Sequence, residues 1–175
     1  MSGNIGTIPT LEELADRLAI AEVLAAHSRG LDRLDLPLLQ ACYWPDAEVD
    51  YGSFRGEAQQ FAALVIPALE GQYELTRHAL SNTLIDLRGD RARVESLVSA
   101  AHLLKSNTEE MLFSGRYLDA LEKRGEQWKL MHRQVVIDWS RRRPFEDERN
   151  SEAFAALAKG GHCDVDPLYP FLNQA

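Results

Sequence analysis

Cysteine is scarce in this chain: Cys42 and Cys163 are the only two in 175 residues, far apart and without a CxxC spacing. Neither a disulfide framework nor a zinc site is indicated. Long apolar runs are also missing. The longest uncharged apolar stretch, near Phe61–Leu69, falls far short of the roughly 20 residues a membrane-spanning helix needs. The start, MSGNIGTIPTLEELADR, lacks the basic opening and apolar core of a secretory signal, so a soluble cytoplasmic protein is expected. Positive charge is in deficit, with 19 Lys and Arg against 27 Asp and Glu and a net charge of -8. That balance argues against binding nucleic acid or anionic membranes. The one basic cluster, Arg141 to Arg143, is followed by Glu146, Asp147 and Glu148 and reads as a local ion-pair network. There is no P-loop, no G-x-G-x-x-G and no G-x-S-x-G elbow. In the tail, His162 with Cys163, Asp164 and Asp166 forms no metal-ligand spacing, and no metal is expected.

What is present is a clear change of pattern near Glu74. Before it the spacing is helical. Thr10 and Glu13 form a capping box, and Leu11, Leu14, Leu18, Ala21 and Ala25 make a stripe running toward Leu31. Gly30 weakens this helix near its end. Pro37 opens a short second helix containing Leu38, Leu39 and Tyr43. Trp44-Pro45-Asp46 reads as a turn, 47–51 as a short strand, 52–56 as a loop and 57–69 as a helix with Pro67 as its kink or stop. After Glu74 four strands are predicted, about 75–87, 92–105, 111–121 and 127–139, joined by turns at 88–90, 106–108 and 124–126. Such a meander twists and curls, and helices packed on one face give an α+β cone. The domain is expected to cover 1–140. The tail, 141–175, with a short helix around 152–159, is expected to pack on the domain or on an oligomer partner.

The chemistry centres on Asp32, in HSRGLDRLD, and His78, in ELTRHALSN. A carboxylate orienting an imidazole is minimal equipment for moving a proton at neutral pH, although Asp32 paired with Arg29 or Arg33 is the structural alternative. Strand alternation puts His78, Leu80, Asn82 and Leu84 on one face, then Val98, Ala100, His102 and Leu104, then Arg133, Val135 and Ile137. If these faces are concave, they enclose an apolar cavity with a few polar groups. Arg133 in such a cavity needs a carboxylate or a substrate anion. Tyr51 reads as a core aromatic with a bonded hydroxyl, and His27 as the polar rim of a helical face. The outer face of the meander, with Leu97, Ala101, His132, Gln134 and Asp138, suits a subunit interface.

Two passages, LDRLDLPLLQACYWPDAEVDYG and GRYLDALEKRGEQWKLMHRQVVIDW, resemble the words of the SnoaL-like or nuclear-transport-factor-2-like superfamily, over nearly the whole chain to Trp139. The resemblance implies a strongly curved antiparallel sheet wrapped over N-terminal helices. By site residues it is nearest the branch of scytalone dehydratase, hexachlorocyclohexane dehydrochlorinase and bile-acid dehydratases. There Asp32 and His78 match an Asp–His dyad. Tyr51 matches a water-binding tyrosine, His102 a second histidine, Arg133 an arginine and His27 a lysine. Leu31 stands where scytalone dehydratase has another tyrosine. The implied function is a cofactor-independent lyase, a dehydratase or dehydrohalogenase, acting on a small hydrophobic cyclic substrate. Alternatives are a non-catalytic ligand-binding or dioxygenase small-subunit-like protein, a ketosteroid-isomerase-like enzyme or a polyketide cyclase. The resemblance also implies a homo-oligomer, trimer or dimer.

Overall fold

The computed structural model describes residues 6–106 and 108–174. The first five residues of the N-terminal segment, and Asn107 of the expected 106–108 turn, lie outside the described residues. Helix α1 (Leu11–Asp32) begins with the capping box: the Glu13 N–H donates to Thr10 Oγ1 at 3.2 Å and the Thr10 N–H to Glu13 Oε2 at 2.8 Å. The expected stripe is not the buried one. Leu11 and Leu18 are 87% and 61% exposed, and burial falls on Ile20, Leu24, His27 and Leu31. Apolar residues occupy two adjacent faces of α1, and all of its buried residues lie from Ile20 onward. Its N-terminal half meets the sheet through polar contacts instead: Asp16 Oδ1 accepts from Trp128 Nε1 at 2.8 Å and Arg17 Nη1 donates to the Ile85 carbonyl at 3.0 Å.

Helix α2 (Leu36–Ala41) is capped by Asp35, whose Oδ1 accepts from the Leu38 N–H at 2.9 Å. Gly30 has a packing reason: a Cβ there would stand 3.0 Å from the Leu39 backbone, so the α1–α2 crossing requires its absence. Tyr43 starts strand β1 (Tyr43–Asp50) rather than belonging to α2. Trp44-Pro45-Asp46 lies inside that strand, where the ladder shifts register between Tyr43 and Glu48. An irregularity of this kind accommodates a proline that cannot donate. Strand β2 (Arg55–Glu57) leads into α3 (Ala58–Gln72), which continues past Pro67. Pro67 is on the exposed side, where water can satisfy the carbonyl it leaves unpaired.

Strands β3 (Tyr73–Arg88), β4 (Arg91–Leu104), β5 (Glu109–Arg124) and β6 (Gln127–Pro144) form the meander. The sheet order is β2-β1-β6-β5-β4-β3, with β1 parallel to β6 and every other pair antiparallel. The sheet is curled but not closed. In β3, Asn82 has φ 48 and the register slips between Ser81 and Leu84. Asn tolerates the left-handed region better than most residues. This bulge reverses the alternation, so Leu84 is 70% exposed and Ile85 pairs with buried Val94. Residues 141–143 continue β6, and Arg143 Nε meets Glu110 Oε2 across the ladder at 2.7 Å. A cross-strand carboxylate is thus the partner, rather than the acidic residues that follow in sequence.

Helices α1 and α3 pack in the concavity around Ile20, Leu39, Phe61, Val94 and Leu130. A second small cluster, Val98, Ala100 and Tyr117 with Leu80, Phe113 and Val135, lies further along the same face. The tail folds back on the chain through a bond from the Cys163 N–H to the Arg33 carbonyl at 2.8 Å and an Arg149–Glu74 ion pair at 2.9 Å. Its expected helix is only a 3-10 turn, Glu152–Phe154. Phe154 and Leu157 stay largely exposed, so packing does not supply what a short helix lacks. A five-residue helix α4 (Leu168–Leu172) follows. Among the described residues no helix is long and apolar enough to cross a membrane.

Gly115 sits beside a register shift between β5 and β6, and a Cβ there would lie 2.1 Å from the Val136 carbonyl oxygen and 2.8 Å from the Phe113 ring. Gly115→Ala should therefore cost about 3 kcal/mol, seen as a lower urea midpoint with the slope unchanged. A midpoint equal to the wild type would mean the two strands separate freely at this point.

Candidate active site

Asp32 is the last residue of α1, and its buried carboxylate accepts three donors from β3. Oδ1 takes the Thr76 hydroxyl at 2.9 Å and His78 Nδ1 at 2.6 Å, while Oδ2 takes the His78 backbone N–H at 2.8 Å. The negative end of a helix is an unfavourable place for a carboxylate, and these donors offset that cost. With Asp32 accepting at Nδ1, neutral His78 carries its proton there and leaves the Nε2 lone pair free. His78 lines a cavity of about 500 Å³ together with Ala21, Leu24, Ala25, Ser28, Leu80, Thr83 and Ile85. The α1 residues Ala21 and Ala25, from the stripe that misses the core, thus form one cavity wall.

His102 lies edge-on to His78, with ring centroids 5.4 Å apart, and against Tyr73 at 4.7 Å. Its Nδ1 is buried without a hydrogen-bond partner. Burial first, and the nearby His78 second, push its pKa down to about 4, so the ring is neutral at pH 7. Tyr51 stacks on Phe61 at 4.0 Å. Its hydroxyl, expected to be bonded, is buried with no partner in bonding geometry, although Tyr43 and Arg133 are close enough to influence its ionisation. Burial raises the Tyr51 pKa above the usual phenol value.

Arg133 and His27 belong to a separate, closed network. The Arg133 guanidinium is fully buried and forks onto Asp119, with Nε to Oδ1 and Nη2 to Oδ2 both at 2.7 Å. Its Nη1 donates to His27 Nδ1 at 2.8 Å, and its plane lies 4.0 Å from the Tyr117 ring centroid. Arginine only donates, so His27 Nδ1 must accept, and Nε2–H donates to the Tyr43 hydroxyl at 2.7 Å. Burial and the Arg133 charge hold the His27 pKa well below the usual histidine value. Burial alone would lower the Arg133 pKa, but the Asp119 carboxylate keeps it well above the ordinary arginine value. The carboxylate that a buried Arg133 requires is therefore Asp119, and His27 has both ring nitrogens engaged by protein rather than standing at a polar rim. Asp50, beside Tyr51, faces the other way and holds the Gly52 N–H at 2.9 Å and Arg55 at 3.0 Å.

Four participants were not singled out from the sequence. Thr76 is two residues before His78 and shares its strand face, and Ser28 is one helical turn before Asp32 on α1. Both follow from the periodicities already in use. Ser28 Oγ is buried and unpartnered on the cavity wall. Asp119 and Tyr43 become visible only through sheet register, because β5 pairs Asp119 with Arg133 and β1 pairs with β6 in parallel.

A curled sheet over helices, with a carboxylate–imidazole pair on the wall of a small apolar cavity, defines a cone-shaped α+β domain. Residues 12–134 match the SnoaL-like domain family, and the chain belongs to it. A candidate scytalone dehydratase from Novosphingobium aromaticivorans is 25% identical with a TM-score of 0.69, over 74% of this chain and 88% of that one. A type 2 LinA hexachlorocyclohexane dehydrochlorinase is 23% identical, with a TM-score of 0.66 over 77% and 92% of the two chains. An uncharacterised protein of Mycobacterium tuberculosis strain H37Rv is 23% identical over 127 residues, 71% of this chain and 86% of that protein. The two solved structures share the nuclear-transport-factor-2-like architecture.

Depressed histidine pKa values carry a stability signature. An unfolded histidine charges below about 6.5, whereas folded His102 stays neutral to about 4 and His27 also resists protonation. The unfolded chain binds protons first as pH falls, so this stability is complete above about 6.5 and drains away toward 4. His102→Gln should remove a share on the order of 3 kcal/mol between pH 7 and pH 4, measured as a flatter pH dependence of urea unfolding. An unchanged slope would mean that His102 is solvated.

Proposed function

We propose that the protein is a cofactor-independent lyase, of dehydratase or dehydrohalogenase type, acting on a small hydrophobic cyclic substrate. The observation carrying this reading is the 2.6 Å bond between His78 Nδ1 and Asp32, with His78 on the wall of an apolar cavity. His78 Nε2 takes a proton from a carbon beside a carbonyl or leaving group. The C–H electron pair becomes the new double bond, and hydroxide or halide departs with its own bonding pair. Asp32 fixes the tautomer and stabilises the imidazolium as it forms. The imidazolium then returns its proton to the departing hydroxide, giving water, or to solvent when halide leaves. The unpartnered Tyr51 hydroxyl and the neutral His102 ring are the groups suited to meet the leaving oxygen or a developing enolate. Arg133 and His27 act from behind this surface, since Asp119 and Tyr43 occupy their polar atoms. The neighbours described as dehydratase and dehydrochlorinase favour this chemistry over other uses of the fold.

The isomerase reading calls for an Asp base on the short strand facing the cavity, and Asp50, the candidate there, is bound to Gly52 and Arg55 at the surface. A purely structural subunit is disfavoured by the hydrogen-bonded pair beside an open cavity. The test is turnover of hexachlorocyclohexane and of cyclic β-hydroxy ketones, followed by chloride release and by loss of water in mass spectrometry. His78→Ala and Asp32→Asn should each lower the rate about 10²- to 10⁴-fold with the fold retained. Near-normal turnover in His78→Ala would sink the mechanism.

The proposal extends to assembly as a dimer or trimer through the convex face. Leu97 is partly exposed there, beside a ladder in which Arg116 bridges Glu95 and Asp138 at 3.3 and 3.2 Å. Light scattering across a dilution series should give two or three times 19.7 kDa. A mass of one chain at every concentration would make it a monomer.

A further inference from the structure

We propose that the C-terminal tail positions the dyad: residues 161–169 clamp the turn that follows Asp32, with Asp166 and Tyr169 as positioning residues. The proposal rests on the reading of Asp32 and His78 as a working pair. It adds a part of the chain that lies beyond residue 134, the last residue matched to the family.

Three residues, Arg33, Leu34 and Asp35, turn the chain from α1 into α2, and the tail touches all three. The Arg33 carbonyl accepts the Cys163 N–H at 2.8 Å, and the Leu34 carbonyl accepts the Cys163 thiol at 3.3 Å. Asp35 Oδ2 accepts the Tyr169 hydroxyl at 2.8 Å while Oδ1 caps α2. Arg33 carries the clamp back to the dyad. Its Nη1 donates to the carbonyl of Asp32 itself at 3.1 Å and to that of Gly161 at 3.2 Å, and its Nε lies 3.6 Å from Asp166. Asp166 is buried and fixed in turn by the N–H groups of Gly161 and Leu168, each at 2.9 Å.

The turn needs holding. Leu34 is buried at φ 54, and its tail partner Cys163 stands at φ 46. Side chains other than glycine enter that region at a cost and persist there only where surroundings over-determine the conformation. The Asp32 carboxylate must meet three donors on β3 at once, so any relaxation of the next two residues toward ordinary backbone angles rotates it away. The tail supplies the missing restraint through bonds to Arg33, Leu34 and Asp35.

Two observables report on the dyad without a substrate. The His78 amide exchanges with solvent only when the Asp32 carboxylate leaves it, and its Nδ1–H gives a downfield proton resonance while the short bond persists. In the full-length double variant Asp166→Ala, Tyr169→Phe, the Cys163 amide should lose protection. The His78 amide should exchange at least tenfold faster and the Nδ1–H resonance should broaden, while the Val94 and Val98 amides of β4 keep theirs. If the double variant keeps its tail docked, Cys163→Pro releases it, because proline has no N–H and cannot take a positive φ. The same two His78 signals then decide. An unchanged His78 beside a freely exchanging Cys163, or a loss spread equally over Val94 and Val98, overturns the proposal. Either result leaves the lyase reading standing, since that reading fails only on turnover by His78→Ala.

Discussion

A guanidinium with no exposed surface is tolerable only if its charge and donors are answered, because stripping a charge of water costs several kcal/mol even after relaxation. Arg133 meets that condition with partners from different parts of the chain: Asp119 on β5, His27 on α1, and the face of Tyr117. His27 passes the constraint on to Tyr43 at the start of β1. The result ties α1 to the sheet at a defined rotation and height. Asp32 lies five residues after His27 on the same helix, so the placement of its carboxylate opposite Thr76 and His78 is inherited from the buried ion pair.

The interior thus holds two polar systems with opposite accounting. Around Arg133 every principal donor and acceptor finds a protein partner, and burial reinforces the arrangement by raising the strength of each contact. Around His78 the accounting is left open: Ser28 Oγ and His102 Nδ1 are buried and unanswered. Buried polar atoms without partners are uncommon in folded proteins, and two beside one carboxylate–imidazole pair give that part of the cone its chemical character. The closed system holds α1 to the sheet, and the open one leaves polar atoms beside the cavity.

Much of this was legible in the residues. The capping box at Thr10, the change from helical to strand spacing near Glu74, and the turns at Gly89 and Gly125 depend on local rules, and local rules survive folding. Asp32 and His78 could be paired because they match the Asp–His dyad of the family the sequence resembles, one at the end of a helix and the other within a strand. The errors have a common cause in long-range context. Leu11 and Leu18 obey helical periodicity, but they stand on the exposed side of α1. Leu84 obeys strand periodicity, but the one extra residue of the bulge at Asn82 reverses it. Arg133 was recognised as needing a counter-charge, yet the identity of Asp119 depends on β5–β6 register, which spacing alone does not reveal. Pro45 and Pro67 were read as breaks because their meaning depends on what their carbonyl neighbours face.

The parallel pairing of β1 with β6 has a consequence for how the molecule is made. Hairpins β3–β4, β4–β5 and β5–β6 close over short turns and can form as soon as their strands exist. Joining β1 to β6 instead brings together the two ends of the domain, and the entropy of closing so long a loop must be met before any contact rewards it. During synthesis β1 emerges early and waits with an unpaired edge until the last strand arrives. The helices, Asp32 among them, can take their final seat on the sheet only after that moment. A chain interrupted before β6 carries the His78 strand but lacks Arg133, and with it the contact that holds His27 of α1.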